Sequence, residues 1–216
     1  MKHLLTFLTS LSKNNNRDWF NAHKDEYEEL KKQLETLSLS LITEIGRFDS
    51  SISHLQPKDT MFRIYRDIRF SKDKTPYKTN MGLFFVPGGK KSNKAGYYFH
   101  IEPGNSFVGG GSHVPQKDEL KSIREEIYTH SAEFKRIVEN ESFVKTFGSL
   151  DGEKLSRPPK GFDPEFEDIE YLKHNSFTVF KKLEDDALLT EDLQHKVLEI
   201  FNEMKSFIFF LNRAIV

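Results

Sequence analysis

The chain of 216 residues carries 32 basic and 33 acidic side chains, which gives a net charge of −1, and it contains no cysteine. The absence of thiols excludes disulfides, thiolate metal sites and a cysteine nucleophile, and the near-neutral charge, taken alone, predicts no polyanionic partner. The length predicts a single domain over residues 1–216 with a sizeable buried core. No apolar stretch reaches the length needed to span a bilayer, so we expect a cytoplasmic protein without a membrane partner.

The first fifty residues are predicted to be helical. Apolar residues at helical spacing predict a short amphipathic helix over 1–12, and a polar break follows it. A long helix then begins with Asn15 or Asn16 as N-cap, and it has one continuous, mostly apolar face that ends near Gly46. His23 lies on that face, where we expect a buried, hydrogen-bonded histidine.

Residues 60–111 change to the two-residue alternation of strands. A first strand is predicted over 62–68, where apolar residues alternate with charged and tyrosine side chains. Further strands are predicted over 81–86 and 97–101, and another begins at 106–108. The connections between these strands are short, so we expect antiparallel pairing.

The rest of the chain returns to helical spacing. Helices are predicted over 116–130 and from Ser131 onward, a further strand over 175–183, and a terminal helix capped by Thr190. The fold class is therefore α+β: an antiparallel sheet of about four to six strands packed with a long N-terminal helix, central helices and a C-terminal helix.

Four stretches of the chain carry extended motifs: NNNRDWFNAHKDEY (14–27), FRIYRDIRFSKDKTPYKTN (62–80), FVGGG (107–111) and LDGEKLSRPPKGFDP (150–164). Together they resemble one widespread bacterial and fungal family that is defined as a domain of unknown function. They occur in the family's order and cover nearly the whole chain. The resemblance implies one full-length domain, and it implies no catalytic residue and no cofactor.

The segment 61–78 lies in the most basic part of the chain. Residues 61–100 contain nine basic and two acidic side chains, a net charge of +7, whereas 101–216 contains 15 basic and 22 acidic side chains, a net charge of −7. Guanidinium and ammonium groups at this density favour an anion site. A phosphate-bearing small molecule or a nucleic acid is the expected partner. The predicted contact residues are Arg17, Arg66, Arg69, Lys72, Lys74, Tyr77 and Lys78.

The same charges also have a structural explanation. Under this alternative, Arg63 and Arg66 pair with carboxylates from the acidic residues 101–216. The two acids of the segment, Asp67 and Asp73, are expected to stay ionised because arginines surround them.

Two further features suggest chemistry. His100 and Glu102 lie two apart on a predicted strand and share a face, so they are weak candidates, with Asp67, for proton transfer. Nothing nearby completes a metal-ligand set, and no metal site is predicted. The run 109–111 (GGG) fits either a strand that ends in a bulge or tight turn, or a backbone that approaches a phosphate.

Three functions remain open. The first, which we favour, is the binding of a phosphate-bearing or other anionic ligand at the basic strand and loop 61–78. The second is an enzyme that acts on an anionic substrate, with arginine and lysine clamps and Asp67, His100 or Glu102 as proton carriers. The third is a structural or interaction protein. The sequence assigns neither a cofactor nor an oligomeric state.

Overall fold

The computed structural model describes residues 1–215 and confirms the α+β class. Within these residues there are eleven α-helices, one short 3-10 helix (Ser50–Ile52) and one four-stranded antiparallel sheet. The strands are β1 (Met81–Phe85), β2 (Gly96–Ile101), β3 (Ser106–Ser112) and β4 (Phe177–Leu183). The helices are α1 (Lys2–Lys13), α2 (Arg17–Ala22), α3 (Lys24–Phe48), α4 (Pro57–Thr60), α5 (Lys117–Thr129), α6 (Ser131–Val138), α7 (Glu141–Phe147), α8 (Ile169–Leu172), α9 (Asp185–Leu188), α10 (Leu193–Glu203) and α11 (Lys205–Ala214).

The four strands pair in chain order, β1-β2-β3-β4, and the two faces of the sheet differ in burial. On β2, Tyr97, Phe99 and Ile101 are fully buried, whereas Tyr98 and His100 between them are partly exposed. Because side chains alternate along a strand, the buried set faces the core and the other set faces outward. The helices α10 and α11 contact β3 on the core side, and α3 packs against α10.

The predicted long N-terminal helix is two helices, α2 and α3, which are separated at His23. His23 leaves the helical conformation with φ −112° and ψ 17°, and its Nδ1 lies 2.8 Å from the Trp19 carbonyl oxygen. A side chain that bonds the backbone in this way competes with the helical ladder. His23 is partly exposed rather than buried, and its ring stacks on Trp19 with centroids 3.9 Å apart.

The C-terminal helix is also divided, into α10 and α11 at Met204, and its N-cap is Asp192 rather than the predicted Thr190. The predicted strands at 81–86, 97–101 and 175–183 are confirmed with small changes of their ends.

The prediction of a strand over 62–68 is wrong. This segment makes only isolated bridges, of Met61 with Leu83 and of Tyr65 with Tyr77. Its N–H groups donate to two different segments, Phe62 N–H to the Gly82 carbonyl oxygen and Arg66 N–H to that of Pro76, and just beyond the segment the Arg69 N–H donates to the Asp67 side chain. Such local bonds compete with a ladder. Residues 64–66 and 76–78 run side by side and present residues 67–75, which we call the basic loop.

Candidate ligand-binding groove and basic loop

An aromatic groove of about 640 Å³ lies on the outward face of the sheet. Its volume is within the range of small-molecule sites in proteins. The lining is mostly apolar and comes from all four strands and from the loops beside them: Phe62, Phe84, Tyr98, His100, Asn105, Phe107, Gly109, Gly110, Gly111, His113, Asp151, Thr178, Val179 and Phe180.

The glycine run lies within β3 and forms part of the groove floor. The register with β2 and β4 continues through it, so the predicted terminal bulge or tight turn is not what these residues form. A Cβ on Gly109 would lie 2.5 Å from the Val179 carbonyl oxygen, and one on Gly111 would lie 2.0 Å from that of Phe177. Gly111 also has φ +122°, a conformation that favours glycine. The bare backbone therefore keeps β3 close to β4 and leaves the space above it open.

A chain of hydrogen bonds runs along the groove through Tyr98, His100 and Glu102. The Tyr98 hydroxyl lies 3.0 Å from His100 Nδ1, and His100 Nε2 lies 3.3 Å from Glu102 Oε2. The imidazole also stacks on Phe107, with ring centroids 4.7 Å apart. His100 and Glu102 are thus in contact, on one face of β2 and at its end, as their spacing predicts.

The protonation states of these hydrogen-bonded side chains follow from their surroundings. Burial raises the pKa of Glu102, but hydrogen bonds from Asn105 and His100 outweigh that effect and hold the pKa below its usual value. Burial, with the charge of Glu102, raises the pKa of Tyr98 to about 12. At neutral pH the carboxylate is therefore ionised and the phenol is protonated. We assign His100 the tautomer that donates from Nε2 to Glu102 and accepts at Nδ1 from Tyr98.

One cation, Lys78, lies beside the groove at Phe62, and a second, Arg63, is near enough to Lys78 to affect its charge. The Lys78 ammonium is 5.4 Å from the centroid of the Phe62 ring, which lines the groove. Burial lowers the pKa of Lys78, and the charge of Arg63 lowers it further. Within the described residues, no carboxylate lies within 4 Å of either cation. Because both effects disfavour the ammonium charge, a bound anion here would relieve an unfavourable charge arrangement.

The arginines of the basic loop and its base are already engaged. Arg66 pairs with Asp73 and donates to Thr75, and both Nε and Nη2 of Arg69 donate to Asp67, at 2.9 and 2.6 Å. The prediction that Arg66 pairs with a carboxylate of residues 101–216 is therefore wrong, because its partner lies seven residues away.

The acids of the loop are held ionised, as predicted. The Thr75 backbone N–H and the Arg66 guanidinium lower the pKa of Asp73 to about 2. Hydrogen bonds from Arg69 lower the pKa of Asp67. Asp67 lies on the exposed loop and is no part of the groove lining, so the structure does not bring it together with His100 and Glu102.

The lysines of the loop differ from the arginines. Lys74 Nζ donates to the Ile68 carbonyl oxygen at 3.0 Å, and Lys72 is exposed. Neither has a carboxylate within 4 Å in the described part of the chain. These two ammonium groups are therefore available to an external anion.

The asparagine-rich motif fixes the base of the basic loop. Asn16 caps α2 by accepting the Trp19 N–H, which confirms the predicted capping. Asn15 forms a pair of bonds with the Tyr77 backbone, as Nδ2 donates to the carbonyl oxygen at 2.9 Å and Oδ1 accepts from the N–H at 3.1 Å. Phe20 stacks on the Tyr77 ring with centroids 4.0 Å apart.

Internal packing therefore occupies the Tyr77 ring, which is buried and does not offer the ligand-contact surface that the sequence predicts. Its neighbour Arg17 is exposed, and its charge lowers the pKa of Tyr77 against the larger, opposite effect of burial. Arg17 thus lies close to the base of the basic loop.

Sequence reasoning missed the aromatic residues of the groove. Of segment 61–78, only Phe62 lines it. The available signal was an outward face that is itself aromatic, with Phe84 on β1, Phe107 on β3 and Phe180 on β4, where a solvated face is usually polar.

No group of three or more histidine, aspartate or glutamate residues in the described chain is arranged to hold a metal ion. None of the helices within residues 1–215 combines the length and the apolar character needed to cross a membrane.

The fold and this outward groove define an α+β protein with a potential small-molecule site. A family model described as "Conserved hypothetical protein (DUF2461)" matches residues 3–210. The chain belongs to this family. Comparisons with curated proteins and with solved structures gave no significant match. The family is one of unknown function, so membership assigns no activity to the groove.

Proposed function

We propose that the chain binds, in the aromatic groove, a small molecule that combines a planar body with a phosphate or another anionic group. The observation that carries this proposal is the continuity between the aromatic lining and the Lys78 ammonium at its edge, to which the charge of Arg63 is close. Phe62 belongs to both, since its ring lines the groove and also contacts the Lys78 ammonium. Nucleotides are the first class of compound to test, because they join a stacking ring to a phosphate.

This proposal reduces the number of predicted residues that would contact the anion directly. Of the residues predicted to contact the anion, Lys78 is the one next to the groove. Arg66 and Arg69 already have carboxylate partners, so they are expected to shape the loop more than to hold the ligand. Lys72, Lys74 and Arg17 are proposed to add attraction for an anion as it approaches.

The test is thermal unfolding at low salt with a panel of mononucleotides, their nucleosides and inorganic phosphate. A ligand at about 100 times its dissociation constant stabilises a protein by about 2.7 kcal/mol, which raises Tm by about 5–10 °C for a domain of this size. Nucleotides should raise Tm more than nucleosides or phosphate do. If no phosphorylated compound changes Tm at any concentration, the proposal is wrong.

Two variants locate the site. Lys78→Met keeps an unbranched side chain over Phe62 but removes the charge, and it should abolish most of the shift. Lys205→Met is the matched control, because it removes a lysine that lies 5.5 Å from the ring centroid of Phe209 on α11, away from the groove lining. Phe180→Ala truncates a partly exposed groove residue and should weaken binding without unfolding the chain.

A second candidate is an enzyme that acts on such a ligand, and the hydrogen-bonded chain of Tyr98, His100 and Glu102 favours it. In this arrangement the imidazole can take a proton from the Tyr98 hydroxyl while the carboxylate stabilises the imidazolium. The expected signature is a Tyr98→Phe or His100→Gln variant that still binds a ligand found by the thermal screen but no longer converts it.

We further propose that residues 1–216 form a single domain of a bacterial cytoplasmic protein. One core cluster extends from Leu4 to Ile215 and supports the single domain. Limited proteolysis should therefore yield no stable internal fragment.

A further inference from the structure

The basic loop carries a phenylalanine that is almost entirely exposed to solvent. Phe70 is 95% exposed, more than any other large hydrophobic side chain in the described part of the chain. Burying a phenylalanine is worth roughly 1.5–3 kcal/mol, so a ring held in water at a loop tip contributes nothing to folding. Tyr65, at the base of the same loop, is 47% exposed.

The loop that presents Phe70 is braced by its own hydrogen bonds. The Asp73 carboxylate joins the Arg66 guanidinium to the Thr75 backbone N–H, and Lys74 reaches back to the Ile68 carbonyl oxygen. Below the loop, Asn15 is bonded to the Tyr77 backbone. The backbone that carries Phe70 is therefore held in place by the fold.

The charge around Phe70 is positive. The two acids of the loop are paired with Arg66 and Arg69, whereas Lys72 and Lys74 have no carboxylate within 4 Å among the described residues. The Arg69 guanidinium lies 5.9 Å from the centroid of the Phe70 ring, on which it makes a cation–π contact. A partner should therefore combine negative charge with a flat apolar surface.

We propose that the basic loop binds single-stranded nucleic acid, with one base stacked on Phe70 and the adjacent phosphates held by Lys72 and Lys74. Stacking on an aromatic side chain next to cations is the general mode of sequence-tolerant single-strand binding. A double helix hides the base faces, so the loop should prefer single strands. A membrane fits less well, because a single ring between Arg69 and Ser71 offers little apolar area for insertion. This inference does not depend on the aromatic groove.

The test is fluorescence anisotropy with a labelled oligothymidylate of about 15 nucleotides at low salt, compared with a duplex of the same length. The unmodified protein should bind the single strand, and log K should fall with log salt with a slope of about −1.4 for two phosphate contacts. Lys72→Met should make that slope about 0.7 smaller in magnitude. Phe70→Ala should weaken binding by about 10-fold or more, since a stacked base is worth a factor of that order.

A matched control is available on α11. Phe209 is 42% exposed, and the Lys205 ammonium lies 5.5 Å from its ring centroid, so it has the same chemistry away from the loop. Phe209→Ala should leave the affinity unchanged. Urea unfolding should be the same for Phe70→Ala and for the unmodified chain, because the ring makes no buried contact.

Several results would overturn the inference. They are the absence of single-strand binding at low salt, equal binding of the duplex, and unchanged affinity in Phe70→Ala. Sedimentation with anionic phospholipid vesicles that depends on Phe70, without oligonucleotide binding, would assign the loop to membranes instead. Lys78→Met separates the two proposals, since it should abolish the groove-dependent thermal shift while Phe70→Ala leaves that shift intact.

Discussion

Acidification should destabilise this fold through His174, which lies between α8 and β4. Its side chain is 2% exposed, and its Nδ1 has no hydrogen-bond partner within residues 1–215. Burial lowers the pKa of His174 to about 4, and the charge of Lys154 adds to that effect. Asp151 and Glu170 act in the opposite direction but more weakly.

The direction of this pH effect follows from the difference between the pKa values of His174 in the folded and the unfolded chain. The unfolded chain takes up a proton on this histidine near its ordinary pKa of 6.5, whereas the folded chain does so only near pH 4. Between these values the unfolded state binds more protons than the folded state. The free energy of unfolding is therefore undiminished by His174 above about pH 6.5 and decreases as the pH falls toward 4. At about 1.4 kcal/mol for each pKa unit of difference, protonation of His174 should lower the free energy of unfolding by about 3 kcal/mol over this range.

The assay is urea unfolding at a series of pH values from about 7 down to about 4. His174→Leu removes the titrating group and keeps the backbone carbonyl that accepts from Arg124 Nη2, so the variant should stay folded at neutral pH. Its stability should depend less on pH than that of the unmodified chain, by about 3 kcal/mol over the range. The matched control is His54→Leu, which removes an exposed histidine that has no carboxylate within 4 Å among residues 1–215 and should not change the pH dependence. Equal pH dependence in His174→Leu and the unmodified chain would refute the reasoning.

Two further substitutions, with a control for the second, test the supports of the site by urea unfolding. Asn15→Ala removes both bonds to the Tyr77 backbone and should lower the free energy of unfolding by about 1–3 kcal/mol; an unchanged value would show that water replaces the amide without loss. Gly110→Ala places a Cβ 2.5 Å from Met204 Sδ and 2.6 Å from a backbone oxygen, so it should cost about 1–3 kcal/mol. Gly104→Ala, with open space around the Cβ but φ +72°, should cost less, about 1 kcal/mol.

The fold class was predictable because the core-facing pattern is local. On β2 the alternation of Phe99, His100 and Ile101 marks a strand whichever other strand it pairs with. The same rule failed over 62–68, where an equally clear alternation is not paired in a ladder. Within 62–68 the N–H groups of Phe62 and Arg66 donate to two different segments, at the carbonyl oxygens of Gly82 and Pro76, so no continuous ladder forms, and sequence spacing does not reveal those partners.

The candidate site was predictable only in part. The contact between His100 and Glu102 follows from their spacing on one strand, and the density of cations in 61–78 marks that segment as unusual. The groove depends on residues that meet only after folding, such as Phe62 and Phe180. Likewise, local sequence does not say which cations are neutralised, since Arg66 and Arg69 found their partners within the loop itself.

The pair of bonds between Asn15 and Tyr77 connects the helical entrance to the groove. Tyr77 precedes Lys78, whose own N–H donates to the Ile64 carbonyl oxygen at 2.8 Å, so the peptide group that precedes the Lys78 Cα is held by hydrogen bonds at both its carbonyl oxygen and its N–H. A lysine with a fixed backbone loses less conformational freedom when it meets an anion. Asn15→Ala should therefore weaken the binding of an anionic groove ligand although Asn15 is no part of the lining. Unchanged affinity in a folded Asn15→Ala protein would mean that Lys78 is positioned by Phe62 and the sheet edge alone.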